Sequence, residues 1–497
     1  MPEVNEYGYA ARMEWHIKLG QWWHYVAAGL GLLLSLVASA HTLIYKRDPR
    51  AAAGWIGFIW FAPVIGPILY GLFGVNRIRR RALSLRSQRE LYRAELALSG
   101  RELEPEGITM PGEVGDFAAI AGVINQTQAR SLLKGNRIEP LLNGDEAYPA
   151  MLQAIGAAKR SVTLATYIFD RDDAGQAFVT ALAAAVRRGV EVRVLIDATG
   201  TRYSWPSVLG LLRSERIPYA RFLPAFPLWR LFSINLRNHR KLLVVDGAVG
   251  FTGGMNIRVG NLISKRPSHP VYDLHFRVLG PVVAHLQEVF AEDWHFTTGE
   301  LLVGDLWFPT LTTAGSVLAR GIADGPDENV DPLRWAILAG LSAARQSVCI
   351  ATPYFLPDAP LISALNLAAM RGVLIDIVLP ERGNLPFVQW ASRASWWQVL
   401  ERGCRIWLTP GPFDHSKILV VDGQWTLLGS ANWDPRSLRL NFEFNVECYD
   451  SELAKRLEAW FRSKRESSRR VTLEEVDARS FPAKLRDGAA RLFSPYL

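Results

Sequence analysis

The chain has 497 residues, a net charge of +8 and three cysteines, Cys349, Cys404 and Cys448, with no CxxC or Cys/His ligand spacing. That length exceeds one ordinary domain, and the sparse, odd cysteine set excludes a disulfide framework or a zinc module, leaving buried thiols in a reducing compartment. The positive balance calls for an anionic partner: nucleic acid, anionic lipid or a phosphorylated substrate.

The first elements narrow that choice. From Leu19 to Tyr45 the chain carries no Asp, Glu, Lys or Arg, and Trp22, Trp23, Tyr25 and Tyr45 stand where an aromatic belt would lie. A second apolar run, Ala51 to Val75, follows directly and contains WIGFIWFAPVIGPILYGLFG. Length and composition predict a two-helix transmembrane hairpin, with spans at about 20–45 and 52–75, inside a membrane region 1–76. A cleaved signal peptide fits less well, because the run is long, starts late and is followed by another. Arg77, Arg79, Arg80, Arg81, Arg86 and Arg89 come next, against Lys46, Arg47, Arg50 and Asp48 in the connecting loop. The positive-inside rule then puts the long C-terminal part in the cytoplasm.

Residues 77–134 read as a linker with peripheral helices. From about 136 the text becomes alternating strand and helix: SVTLATYIF, then AGQAFVTALAAAVRRG, then VEVRVLID. This is βαβ grammar, hence an α/β domain. It returns as SVCIATPYF, LISALNLAAMRG and VLIDIVLP, so two copies of one unit are expected, at 135–320 and 321–497.

Each copy closes on one strand, NHRKLLVVDG at 238–247 and HSKILVVDG at 415–423. Strand parity puts His239 with Lys241 on one face, and His415 with Lys417 likewise. The same parity turns Asp246 and Asp422 to the opposite face, where they brace the turn. A return strand ends in GGMN in one copy and GSAN in the other, and Asn256 and Asn432 each follow their histidine by 17 residues. Gly254 and Ser430 belong to these segments, whose small residues allow close backbone approach.

An imidazole, an ammonium and an amide from each half suit a phosphodiester. Lysines and amides hold nonbridging oxygens, one imidazole attacks phosphorus and the other protonates the leaving oxygen. Asp273 and Glu443, downstream of His239 and His415 respectively, are the candidate orienting carboxylates. One H-x-K-x4-D strand alone reads best as a surface strand; two, each with its asparagine at the same offset, point to one site made of both halves.

The paired strands resemble the phospholipase D superfamily, and INLRNHRKLLVVDG, FTGGMNI, ATPYFLPD, HSKILVVDG and GSANWDPRSLRLNFEFN look like the blocks of bacterial cardiolipin synthases. That resemblance implies two tandem phospholipase D-like α/β sandwich domains, with His239, Lys241, Asp246, His415, Lys417 and Asp422 as the catalytic motif residues. It implies phosphatidyl transfer between two phosphatidylglycerol molecules through a phosphohistidine, with His239 as nucleophile and His415 as acid and then base. Lys241, Lys417, Asn256 and Asn432 would bind phosphate, with Ser430 and Gly254 beside them. No metal or cofactor is expected, the partners are phospholipids rather than nucleic acid, and the location is the cell membrane. Lipid hydrolysis or a different donor lipid would use the same constellation. After GGMNI the family usually continues with acidic and aromatic residues, where this chain has RVGNLISKRPSHP, and Asp414 stands beside His415, able to perturb its pKa.

Other segments invite a bland reading. DRDDAG at 170–175 fits a strand-to-helix turn with an Asp cap better than a cation loop. His275 and His295 read as packed or surface side chains. The apolar stretches 222–232 and 390–397 either pack inward or dip into the membrane interface.

Overall fold

The structure, a computed structural model, describes residues 6–46, 48–74, 117–128, 130–223, 236–326 and 331–494. Two compact units form, Met1–Arg80 and Arg81–Leu497. In the first, Glu6–Tyr45 is a single helix whose His24–Tyr45 stretch is apolar and long enough to cross a bilayer.

The second apolar run does not make the expected span. Asp48 caps helix Pro49–Phe61, accepting from the Arg50 N–H at 2.8 Å. The helix stops at Ala62, which Pro63 forces out of the helical region (φ −133°, ψ 79°). The chain then turns into a short helix, Ile65–Leu69, and a π turn, Tyr70–Gly74. It folds back so closely that a Cβ on Gly66 would lie 2.7 Å from Ile59 Cα. Helix Pro49–Phe61, 13 residues long, reaches about 20 Å, short of a hydrocarbon core of about 30 Å. Among the described residues the unit therefore has one membrane-length helix, not a hairpin of two. Two polar contacts tie the fold-back to the long helix: His41 Nδ1 lies 2.8 Å from the Tyr70 hydroxyl, and Ser35 donates to the Pro63 carbonyl.

The second unit is built on one sheet. Its first half supplies β1 (Leu133–Leu142), β2 (Ser161–Thr166), β3 (Glu191–Asp197), β4 (Tyr219–Phe222), β5 (Leu242–Val245), β6 (Val249–Gly253), the two-residue β7 (Val271–Tyr272) and β8 (Leu274–Leu279). The second half supplies β9 (Val317–Asp324), β10 (Ser347–Ala351), β11 (Leu374–Pro380), β12 (Arg405–Thr409), the two-residue β13 (Phe413–Asp414), β14 (Ile418–Val421), β15 (Trp425–Gly429), β16 (Glu443–Tyr449) and β17 (Arg469–Val471). Their order is β17-β12-β11-β10-β14-β15-β16-β9-β1-β8-β6-β5-β2-β3-β4, with β7 and β13 paired apart. Outward from the β9–β1 junction, each half repeats the other: β1 corresponds to β9, β8 to β16, β6 to β15, β5 to β14, and β2–β4 to β10–β12. The duplication seen in the sequence is thus real, but the halves share one continuous mixed sheet rather than two separate sandwiches. The reason is the antiparallel pairing of β1 with β9, Leu133 opposite Ala319 and Asn136 opposite Val317.

Period-2 alternation explains the layers. Leu242 and Val244 of β5, with Ile418 and Val420 of β14, face one core that both halves share, covered by helices Val283–Thr298 and Ser451–Glu466. Leu243 and Val245 face a second core under Asn143–Ala157 and Asp173–Arg187. Leu419 and Val421 face the matching third core under Pro332–Ala343 and Ala359–Met370. Cys404 and Cys448 are buried thiols in these layers, and Cys349 is half-buried.

Candidate active site

The His-x-Lys segments run into β5 and β14, and each leaves its own half to pair with the other. The His239 N–H donates to the Phe442 carbonyl at 2.9 Å, and the Phe442 N–H donates to the Arg237 carbonyl at 2.8 Å. The His415 N–H donates to the Tyr272 carbonyl at 2.7 Å, continuing the parallel pairing of β13 with β7. Phe442 and Tyr272 immediately precede the two candidate carboxylates. As a result His239 Nδ1 lies 3.1 Å from Glu443, and His415 Nδ1 lies 2.9 Å from Asp273. Both carboxylates contact one of the two motif imidazoles, but in exchanged partnership from the sequence expectation. The exchange follows from backbone pairing between halves, which sequence separation does not encode.

With each Nδ1 engaged, each Nε2 is the nitrogen left for chemistry. The imidazole centroids stand 6.5 Å apart at 79°, a gap that a phosphate can bridge. Lys241 and Lys417 are buried beneath them, and each Nζ donates to the carbonyl of its own histidine. Asn256 is oriented by its Oδ1, which accepts from the Ile168 N–H at 3.1 Å. The Asn432 amide instead donates to Ser437 Oγ at 3.2 Å.

Four of the expected site residues make contacts other than the expected ones. Asp246 sits at the far end of β5, accepting from the N–H groups of Lys159, Arg160 and Ser161 at 2.7–3.2 Å. Asp422 does the same for Arg345, Gln346 and Ser347, each at 2.8 Å. Both hold positive φ, 51° and 50°, so they clamp a turn and a neighbouring strand start, away from the imidazoles. Ser430 is fully buried and donates to Glu443 at 2.5 Å while accepting from the Phe444 N–H. A Cβ on Gly254 would lie 2.5 Å from an Asp273 oxygen. Position 254 therefore makes room for one carboxylate and position 430 hydrogen-bonds the other; neither is placed as a phosphate ligand.

The electrostatics are those of a largely buried site with two lysines under two imidazoles. Burial pushes His239 down to about 4, with Glu443 opposing and Lys241 adding. His415 falls well below its ordinary value through burial and the two lysines. Burial likewise lowers Lys241 to about 7 and Lys417 to about 8. The carboxylates diverge. Burial raises Asp273 to about 8, with Lys417 opposing and Asp414 adding. Burial also acts to raise Glu443, but His239, Lys241 and the Ser430 hydroxyl outweigh it and leave the group below its ordinary value. Asp414 pairs with Lys464 at 2.8 Å and acts on Asp273 and Lys417.

Sequence reasoning missed Arg240. It lies between His239 and Lys241 on the opposite strand face, fully buried, with Nη1 2.6 Å from Asp293. Its other nitrogens donate to the carbonyls of Asp324 and Glu443, tying the first-half motif to second-half strands. A charge inside an apolar strand was the available signal, since it must find a buried partner. Tyr167, whose ring is 5.2 Å from His239 and 5.7 Å from Lys241, was also missed, as was Tyr354, 6.5 Å from His415.

The bland segments resolve simply. Asp172 caps helix Asp173–Arg187 through the Gly175 N–H at 3.0 Å. His275 is buried. In 390–397, Trp396 is buried and donates to Ser392, whereas Trp397 is exposed. The stretch 222–232 lies, after Leu223, outside the described residues, as do the arginines at 77–89.

Two halves presenting crossed histidine–lysine–carboxylate sets across one sheet define a phospholipase D-like catalytic unit. A family model described as "Cardiolipin synthase, PLD-like domain" matches residues 151–294 and 337–465, and one described as "Phospholipase_D-nuclease N-terminal" matches 33–74. The cardiolipin synthase of Oceanobacillus iheyensis is 30% identical over 474 residues, 94% of this chain and 98% of that protein. Cardiolipin synthase A of Pseudomonas aeruginosa is 33% identical over 476 residues, 94% of this chain and 96% of that one. Among solved structures, phosphatidylserine synthase of Haemophilus influenzae shares the fold, with a TM-score of 0.61 at 15% identity over 76% of this chain and 100% of that one. The chain belongs to the cardiolipin synthase family of phospholipase D-type phosphatidyltransferases.

Proposed function

We propose that the chain transfers a phosphatidyl group from one phosphatidylglycerol to a hydroxyl of a second, giving cardiolipin and glycerol. The observation that carries the division of labour is the unequal hydrogen bonding of the two carboxylates: Glu443 accepts from Ser430 and Asn441, Asp273 from the Leu274 N–H. Glu443 is held ionised, so His239 keeps its Nδ1 proton toward it and offers an Nε2 lone pair. Asp273, raised to about 8, retains a proton at neutral pH, so the Asp273–His415 pair holds one more proton than the His239–Glu443 pair.

His239 Nε2 attacks the donor phosphorus while the bond to the glycerol oxygen breaks, and His415 delivers the proton to that oxygen. In the second step His415 takes the proton from the acceptor hydroxyl. That oxygen attacks phosphorus, the P–N bond breaks, and the resting site returns. Lys241, Lys417 and the amides of Asn256 and Asn432 stabilise the nonbridging oxygens as charge grows on them. The charge of the entering phosphate opposes the depression that burial and the two lysines impose on His415.

The apolar helix His24–Tyr45 supports anchoring in the cell membrane, and the arginines after residue 76 favour a cytoplasmic catalytic unit. Incubating the purified full chain with labelled phosphatidylglycerol tests the reaction. Cardiolipin with equimolar glycerol supports it; phosphatidic acid without cardiolipin refutes it.

A further inference from the structure

Resting on that reaction, a second question arises. Each turnover brings together two phosphodiesters, and the crossed constellation accounts for the one that reacts. The other must lie one three-carbon glycerol away, in or beside the same groove, and its charge must be met there.

The halves repeat one strand order and one motif, so their differences point to what each flank binds. Two residues before His239 stands Arg237; the corresponding residue before His415 is Phe413. Four residues after Asn432 stands Arg436; four residues after Asn256 is Gly260. Arg237 and Arg436 flank one turn: the Arg436 carbonyl accepts from the Asn441 N–H, and the next N–H, of Phe442, donates to the Arg237 carbonyl. Arg237 Nη1 donates to the Tyr167 hydroxyl at 2.9 Å, so one ring stands between this guanidinium and His239. Its Nε is buried without a hydrogen-bond partner. Burial and the neighbouring Arg237 charge both lower Arg436 from its ordinary value, with Asp434 opposing.

The other flank is different in kind. Phe413 and Tyr354 approach the His415 ring at 5.9 and 6.5 Å and each other at 6.3 Å. Arg258, which also acts on His415, has Asp170 as counter-ion at 3.3 Å. An apolar wall suits acyl or glycerol carbon, and paired guanidiniums suit a phosphate held through several N–H groups.

We propose that Arg237 and Arg436 form a binding site for the unreacted phosphodiester of the second phospholipid, the acceptor. The site makes an anionic lipid, rather than glycerol or water, the favoured acceptor of the phosphatidyl group. Arg237 and Arg436 take no part in forming the covalent intermediate.

The test compares two acceptors with the full chain in detergent–phosphatidylglycerol micelles. Radiolabelled glycerol exchanged into phosphatidylglycerol reads donor cleavage and return to a neutral acceptor; cardiolipin formation reads transfer to an anionic one. Arg237→Gln and Arg436→Gln should each lower cardiolipin formation by about 10-fold or more, the worth of a lost charge-assisted hydrogen bond. Glycerol exchange should stay within about 2-fold on the same scale, and Arg237→Lys should recover part of the loss. Equal loss of both rates would overturn the proposal, since the arginines would then serve the fold or the donor. Unchanged cardiolipin formation in both Gln variants would overturn it too. Absence of glycerol exchange in the unsubstituted chain would instead refute the proposed reaction.

Discussion

His239 and His415 stand on equivalent strands, each with a lysine two residues on and a carboxylate reaching in from the opposite half, yet the two carboxylates sit among different neighbours. Glu443 accepts from Ser430 and Asn441 as well as lying against His239. Asp273 has the Leu274 N–H and His415, with Gly254 where the first half would otherwise place a hydroxyl. One substitution pair, Gly254 against Ser430, thus changes how well a buried carboxylate is solvated. In the proposed reaction this difference separates an acid side from a nucleophile side while both histidines are kept. The flanks diverge too: beyond Tyr167 on the His239 side stand Arg237 and Arg436, where Phe413 joins Tyr354 beside His415.

The sharpest way to break this comparison is to remove each imidazole in turn. His239→Ala should abolish both transfer and glycerol exchange, a loss of at least about 10⁴-fold. His415→Ala should be equally dead on phosphatidylglycerol. With a phosphatidyl ester of p-nitrophenol, which leaves without protonation, it should still release a burst of nitrophenolate, and His239→Ala should release none. A burst from His239→Ala would invert the roles.

Removing a carboxylate should cost less. Glu443→Gln and Asp273→Asn should each lower kcat by about 10²- to 10⁴-fold, as loss of an orienting partner does. The p-nitrophenol ester separates them. Asp273→Asn should largely recover on it, because its defect lies in proton delivery, whereas Glu443→Gln should not.

The pH profile sharpens the same contrast. Asp273, raised to about 8, carries its proton below that pH and loses it as pH rises. The leaving group then goes unprotonated, so kcat/KM should fall above about pH 8. Lys241, lowered to about 7, and Lys417, lowered to about 8, lose charge in the same direction. Asp273→Asn distinguishes them: if the alkaline limb persists unchanged in that variant, the lysines set it.

How much of this was readable beforehand depended on range. The βαβ repeat, the His-x-Lys strands and the asparagine offset are local patterns, and local geometry alone puts those residues together. Asp246 and Asp422 were also readable, through strand parity, as facing away from the chemistry. The carboxylate exchange was not, because it rests on backbone hydrogen bonds between Tyr272 and His415 and between Phe442 and His239, whose partners lie in different halves. Joining both halves into one sheet is equally non-local. The second membrane span failed for a local reason that length-counting overlooks: Pro63 stops the helix inside an apolar run that is otherwise long enough.

The smallest expected effects concern stability and again set the halves against each other. Arg240→Ala leaves Asp293 buried without this partner and should destabilise the catalytic unit by about 3–5 kcal/mol. Ser416→Ala, the matching position of the second half, should cost less than about 1 kcal/mol. Denaturant titration followed by tryptophan fluorescence measures both, and equal losses would show that Arg240 has no special part in joining the halves.

The central claim, one site made of both halves with His239 attacking, is tested most directly by locating the covalent intermediate. The full chain is mixed with labelled phosphatidylglycerol, quenched in alkali to preserve phosphohistidine, digested and sequenced by mass spectrometry. The adduct is expected on His239, absent in His239→Ala and diminished in Glu443→Gln despite the carboxylate lying in the other half. An adduct on His415, or one that forms undiminished in Glu443→Gln, would contradict it.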